Sequence, residues 1–323
     1  MRPSLVAHAP TRLDFGGGWT DVPPYPEERG GFVCNLAIER RAIVRLDYAV
    51  DGIVHNETSA LIRAACNTAG ITNARAQLSS DFPIGAGLGG SSAAGVALAA
   101  ALAHWNRQTL HQSELAEWSR AVEVQGLQVP GGRQDHYAAA YGGALALTFR
   151  HEVQVEQIAL SEQTVSSLES QCLLLYTGES RISGETITAV LDAYAMQVPR
   201  VINALQRMKE LAIEMAHSLR TGGVDSLGVQ IGEHWKHQRS LHPRISTERI
   251  DAIEKAAYQA GALGMKALGA SGGGCVIVFA QAEATERVAQ AISGLAERLD
   301  WRIAHSGVSV REELPLPNQR ATR

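Results

Sequence analysis

The chain has 323 residues, 45% of them apolar and 19% charged, so it can bury a sizeable core and reads as an ordinary folded protein of one large or two medium domains. Its net charge of −4 gives no nucleic-acid footprint, and no apolar run reaches the roughly 18 to 20 residues that cross a bilayer. The N-terminus lacks a signal-peptide core, so a cytoplasmic chain with no membrane or nucleic-acid partner is expected. The cysteines Cys34, Cys66, Cys172 and Cys275 are scattered without a CxxC pair, which predicts buried free thiols rather than disulfides or a zinc site.

In chain order, residues 33–48 read as β-structure through Ala42, Ile43, Val44, Leu46 and Tyr48. The Ala/Leu-rich run 91–103 and the segment 112–125 read as helices. Residues 144–149 and 172–176 read as strands, followed by helices over 186–197 and 199–220. A helix over 247–260 starts at a cap region, 246–249. Residues 274–279 read as a strand and 284–299 as one helix. The mixture predicts an α+β or α/β protein. The polar stretch 150–157 separates two compact-looking halves, so a boundary falls between 150 and 170.

The 31 glycines cluster at 16–18, 85–90 and 272–274. The middle cluster carries the strongest chemistry. In PIGAGLGGSSAA, residues 83–94, a glycine-rich loop runs straight into a helix whose first turn holds Ser91 and Ser92. Glycines let backbone N–H groups approach a phosphate, and the helix N-terminus adds positive potential. A serine hydroxyl there can also reach a magnesium ion that bridges phosphates. The loop is neither a Walker motif nor a Rossmann fingerprint.

Three weaker segments flank it. In VPGGRQDHYAAAYGG, residues 129–143, Asp135 opens a small-residue helix, where a carboxylate can accept a proton from a substrate hydroxyl. Taken alone it serves equally well as a helix cap. Glu123, twelve residues earlier, is a candidate magnesium ligand or simply a solvated helix residue. LGASGGGCVIV, residues 268–278, sets a glycine cluster before a strand. APTRLDFGGGWTDVPPY, residues 9–25, offers Arg12 to stabilise negative charge, with Thr20 and Asp21 suited to sugar hydroxyls or to a turn.

These four segments, in this order, resemble the GHMP kinases. Residues 83–94 are similar to the family's P-x3-G-L-G-S-S-A-A loop, with Gly90 where the first serine often stands. Within the superfamily, four stretches resemble the bacterial D-glycero-D-manno-heptose phosphate kinases: GGGWTDVPPYPEERGGFVCNLAI, GGRQDHYAAAYGG, TGESRISGETI and HWKHQRSLHPRIST. Trp19 departs from the usual G-G-G-T-D, and Gln238 stands where a lysine is common.

The resemblance implies an α+β GHMP kinase fold. Residues 1–160 would hold a left-handed β-α-β unit, and residues 161–323 a ferredoxin-like α+β domain, with ATP and sugar meeting between them. Pro83, Gly85, Gly87, Leu88, Gly89, Gly90, Ser91, Ser92 and Ala93 would wrap the ATP phosphates. Ser92 and Glu123 would hold Mg2+. Asp135 would orient or deprotonate the acceptor hydroxyl, with Arg12 paired to it. Thr20, Asp21, Gly132, Gln134, Gly272 and Gly273 would stand beside the sugar, and Arg181, Lys236 and Arg239 would grip a phosphate already on it. The implied reaction moves the γ-phosphoryl group to the anomeric hydroxyl of D-glycero-D-manno-heptose 7-phosphate. An unphosphorylated sugar (L-fucose, free heptose or another hexose) is the alternative acceptor, and a non-catalytic ligand sensor is the alternative class. A homodimer is left open.

Overall fold

The computed structural model describes residues 3–49, 59–127, 131–179 and 184–313; Arg181 lies outside them. The first elements are β1 (Ser4–Gly16), α1 (Tyr25–Arg29), β2 (Gly31–Tyr48), α2 (Ala60–Ala69) and β3 (Ala74–Ser80). Helices α3 (Gly90–Trp105), α4 (Gln112–Ala121) and α5 (Gln134–Tyr141) follow, then β4 (Ala144–Phe149) and β5 (Val153–Ile158). The remainder comprises α6 (Glu162–Gln171), β6 (Cys172–Tyr176), α7 (Gly184–Ala195), α8 (Pro199–Thr221), α9 (Val224–Leu241) and α10 (Glu248–Gln259). It ends with β7 (Ala262–Ala267), β8 (Cys275–Ala280), α11 (Thr285–Ile292), β9 (Glu297–Leu299) and β10 (Ser309–Glu313).

The first sheet has six strands in the order β10-β1-β2-β4-β5, with β3 also on β2. Residues 42–46 of β2 pair with both β1 and β3, and residues 34–36 with both β1 and β4. β3 and β4 therefore lie in line along one edge of β2, run the same way, and are joined through α3, α4 and α5. That is the β-α-β unit of this half. α3 is buried from Ser92 to Ala103. Its small side chains let it pack closely on β1 and β2 while α2, α4 and α5 cover its other faces.

The second sheet is antiparallel, in the order β7-β8-β6-β9. Numbered within this half, its strands run second, third, first, fourth, with helices between first and second and between third and fourth. This is the ferredoxin-like arrangement. An apolar cluster joins the halves: Leu13, Phe15 and Leu36 from the first sheet meet Leu174, Ile277 and Phe279 from the second, and Phe15 lies edge-on to Phe279.

One sequence reading is corrected. The single helix over 284–299 stops at Ile292; a turn follows, and β9 places buried Leu299 opposite Leu174. The polar stretch 150–157 is mostly β5, an edge strand whose half-buried Val153 and Val155 alternate with exposed Gln154 and Glu156. In addition, the reading over 112–125 becomes α4 plus a π-helical turn, Val122–Gly126, which carries Glu123. Strand β10 returns from the far end of the chain to pair with β1. Among the described residues, no helix is long and apolar enough to cross a membrane.

Candidate active site

Alternation along β1 builds the floor of a cleft. Leu13 and Phe15 enter the core, while Arg12 and Asp14 reach a cavity of about 640 Å³ between the halves. Beside them, β3 ends at Ser80 and α3 begins at Gly90; the intervening loop forms the opposite wall. Gly85, Gly87 and Gly89 of this loop have φ values of 72°, 72° and 76°, the left-handed region that favours glycine. Two bonds from Arg12 hold the loop: its backbone N–H donates to Leu88 O at 3.1 Å and its Nη1 to Gly87 O at 2.6 Å. The third glycine segment braces the loop from behind, with Cys275 N donating to Ala86 O at 2.7 Å. α3 starts without a side-chain cap, so its first N–H groups are available to an anion.

A methyl group at Gly87 would stand 2.8 Å from Leu268 O, and the residue has a positive φ. Gly87→Ala should therefore displace the loop. Because misplacement of about 1 Å costs up to about 100-fold, we expect kcat/KM for ATP to fall by about 10- to 100-fold, with a modest fall in melting temperature from the strained backbone. Nucleotide titrations of the two proteins would check this; equal affinities would contradict the assignment of the loop to phosphate.

Glu123 stands across from the start of α3. Ser91 Oγ donates to its Oε1 at 2.6 Å, Ser92 Oγ to its Oε2 at 3.3 Å, and His136 Nε2 lies 3.0 Å from Oε2. Burial alone would raise the Glu123 carboxyl; His136 and the two serines outweigh it and hold it below the usual carboxylate range. Among the described residues, no group of three or more His, Cys, Asp and Glu could hold a metal without help. One carboxylate and hydroxyl oxygens instead suit Mg2+, which keeps waters and shares its shell with nucleotide phosphates. Ser92 and Glu123 would hold it; when bound, the ion supplies charge neutralisation to the phosphates.

Asp135 and Arg12 meet as expected: Arg12 Nε donates to Asp135 Oδ1 at 2.7 Å, with Arg12 almost fully buried and Asp135 open to the cleft. Asp21 lines the cleft and caps α5, its Oδ2 accepting from the N–H groups of Arg133 at 2.7 Å and Gln134 at 2.9 Å. Gly132 lies against the same carboxylate, and Gln134 reaches the cleft wall.

Burial raises the Asp21 carboxyl to about 6, with Asp135 and Asp14 adding to the shift and the two backbone N–H groups opposing it. The folded value lies above the unfolded one. Its contribution to stability is thus fully present below about pH 4 and lost as pH rises through the folded value. Relative to Asp21→Asn, the wild type should lose up to about 3 kcal/mol between about pH 4 and pH 7. Urea unfolding of both proteins across that range tests it; a difference that does not vary with pH would contradict the buried ionisation.

Other expected site residues are elsewhere. Thr20 is fully buried, its hydroxyl donating to Gly17 O at 2.7 Å and accepting from Phe32 N at 3.1 Å, so it closes a turn rather than facing sugar. Lys236 is exposed and pairs with Glu233 at 2.9 Å. Arg239 pairs with Asp251 at 2.7 Å and Glu254 at 2.5 Å. Neither lines the cleft. Gly272 N donates to Ile245 O at 2.9 Å, and Gly273 packs on Glu179 O; Gly269 and Ala270 of that loop reach the cleft instead. Pro83 and the loop from Gly85 to Ser92 line the cleft, while Ala93 is buried behind it. Sequence reading missed Asp14, an acidic residue alternating with Arg12, and the apolar wall of Leu61, Leu78, Phe82 and Ile84.

The description "GHMP kinases N terminal domain" matches residues 36–143, and "GHMP kinases C terminal" matches residues 215–297, together more than half of the chain. The chain belongs to the GHMP kinases. These are ATP-dependent small-molecule phosphotransferases. This GHMP kinase is 26% identical over 328 residues to a bifunctional fucokinase/GDP-fucose pyrophosphorylase of Arabidopsis thaliana; the match takes in 89% of this chain but only 31% of the plant protein. It is 25% identical over 304 residues to the D-glycero-alpha-D-manno-heptose 7-phosphate kinase of Campylobacter jejuni, covering 85% of this chain and 89% of that one. In fold it is similar to a D-glycero-D-manno-heptose 1-phosphate kinase from Bacteroides thetaiotaomicron, with a TM-score of 0.77, 22% identity, and 95% and 98% of the two chains covered.

Proposed function

We propose that this chain is an ATP-dependent sugar kinase that transfers the γ-phosphoryl group to the anomeric hydroxyl of a sugar carrying no phosphate. One observation favours a neutral acceptor. The acceptor side of the cleft presents Asp14, Asp21, Asp135 and Gln134, and its one cation there among the described residues, Arg12, is already engaged by Asp135 and Gly87. Carboxylates accept hydrogen bonds from sugar hydroxyls and repel a second phosphate. Lys236 and Arg239, the described members of the expected phosphate grip, are committed to carboxylates elsewhere. The likeness to a fucokinase supports the same acceptor class.

In this reading Asp135 orients or takes the proton of the acceptor hydroxyl, and Arg12 keeps that carboxylate in place and offsets charge developing at the reacting centre. Phosphoryl transfer has a loose transition state, so positioning and charge stabilisation carry most of the rate. Residues 1–160 would supply the nucleotide loop and most of the acceptor site, and residues 161–323 would brace them. A cytoplasmic setting fits the four buried free thiols.

The heptose 7-phosphate is the second reading, favoured by the similarity to the Campylobacter jejuni enzyme over nearly the whole length of both chains. Coupled ADP release with MgATP, run on L-fucose, free heptose, hexoses and heptose 7-phosphate, separates the two. We expect turnover on a free sugar. Turnover confined to the 7-phosphate would overturn the neutral-acceptor reading.

A further inference from the structure

Asp14 and Lys266 form a buried ion pair at the cleft floor that none of the expected roles uses. Lys266 Nζ donates to Asp14 Oδ2 at 2.9 Å and to Asp14 O at 2.7 Å, and both side chains are at least 97% buried. Burial alone would raise the Asp14 carboxyl, but Lys266 and then Arg12 outweigh it and hold it below the usual range. The group is therefore an anion that accepts hydrogen bonds and cannot donate them.

Only half of that anion is satisfied. Asp14 Oδ1 is buried and has no hydrogen-bond partner among the described residues. A buried, unpartnered carboxylate oxygen is costly. A pair serving only to join the two sheets would be expected to satisfy both oxygens or to be replaced by apolar side chains. Asp14 also forms part of the cleft wall, together with Arg12 and Gln134. The neighbouring loop residue is Gly18, where a methyl group would stand 2.5 Å from Asp14 Oδ2 and 2.9 Å from Gln134 Nε2. The chain thus carries no side chain at the point where one would crowd this carboxylate and amide.

We propose that Asp14 is a specificity-determining ligand of the acceptor sugar, its Oδ1 accepting a hydrogen bond from one sugar hydroxyl, with Lys266 as the positioning residue that holds its other oxygen. The inference rests on the sugar-kinase reading and deepens it. Gln134 lines the same cleft and offers an amide donor to the same sugar. No bond is made or broken at Asp14; its contribution is selection.

The test compares L-fucose and free heptose with their monodeoxy analogues in steady-state kinetics. One deoxy position should lower kcat/KM of the wild type by about 10- to 100-fold. Asp14→Asn should lower kcat/KM for the parent sugar by a similar factor, leave the KM for ATP unchanged, and show little further loss on that same deoxy analogue. Because removing one charge of a buried pair can unfold a protein, Asp14→Val/Lys266→Met is measured alongside; it removes both charges and should show the same missing selectivity at that one position. Variants that keep the full wild-type ranking of deoxy analogues would overturn the inference while leaving the kinase reading intact. Failure of the wild type to turn over any free sugar would overturn both.

Discussion

Asp135→Asn should lower kcat by about 100- to 10,000-fold, the range for loss of a group that handles a transferred proton, while the KM for ATP changes little. Asp135 stands in the first turn of α5, open to the cleft, with Arg12 Nε on its Oδ1 at 2.7 Å. Asparagine keeps the size, and its amide oxygen can keep the Arg12 bond. What it removes is the charge and the basicity presented to the acceptor hydroxyl. The phosphate loop is held separately by Arg12 Nη1 and by Cys275 N, so nucleotide binding should survive. Steady-state kinetics together with a melting curve would check this. A variant retaining kcat within about tenfold would exclude Asp135 from the proton's path.

Lys266→Met should destabilise the fold by about 3 to 5 kcal/mol, because it strands the charge of Asp14 in the interior. The lysine is fully buried, and its ammonium is held by Asp14 Oδ2 and Asp14 O. Burial lowers the lysine's affinity for its proton, and Asp14 opposes that shift. Pairing the change with Asp14→Val should recover most of the loss, since a buried ion pair replaced by apolar groups of fitting volume is often neutral or better. Denaturant unfolding of the two variants gives the answer. A single variant as stable as the wild type would mean that the pair contributes nothing to joining the sheets.

What was legible in the sequence follows from how local each requirement is. Phosphate binding needs glycines and a helix start within a dozen residues, so residues 83–94 read directly, and the left-handed φ values of Gly85, Gly87 and Gly89 are the structural counterpart. Strands β4 and β6 are continuous apolar runs and were bounded to the residue. Strand β5 was hidden because an edge strand solvates one face, so its polar residues read only as a stretch separating two halves. Strand β9 spans only Glu297–Leu299, too short for any period to register beside α11.

The acceptor site was harder because it depends on which way side chains point. Thr20 and Asp21 are neighbours in sequence, yet one closes a turn through Phe32 and the other reaches the cleft. Lys236 and Arg239 sit three residues apart on α9 and engage acidic partners from α9 and α10. Two signals were nevertheless present. Asp14 follows Arg12 at strand spacing in a strand otherwise buried, and Lys266 is a lone charge within an apolar strand that demands a partner.

The central claim is that this fold moves the γ-phosphoryl group of ATP onto a free sugar. Phosphorus NMR of a reaction containing the enzyme, MgATP and L-fucose or free heptose reads that transfer directly. The account predicts a new sugar 1-phosphate resonance growing as the γ-phosphate signal falls, in step with ADP and slowed at least about 100-fold with Asp135→Asn. Sugar-independent release of inorganic phosphate, or a new resonance only when heptose 7-phosphate is supplied, would contradict it.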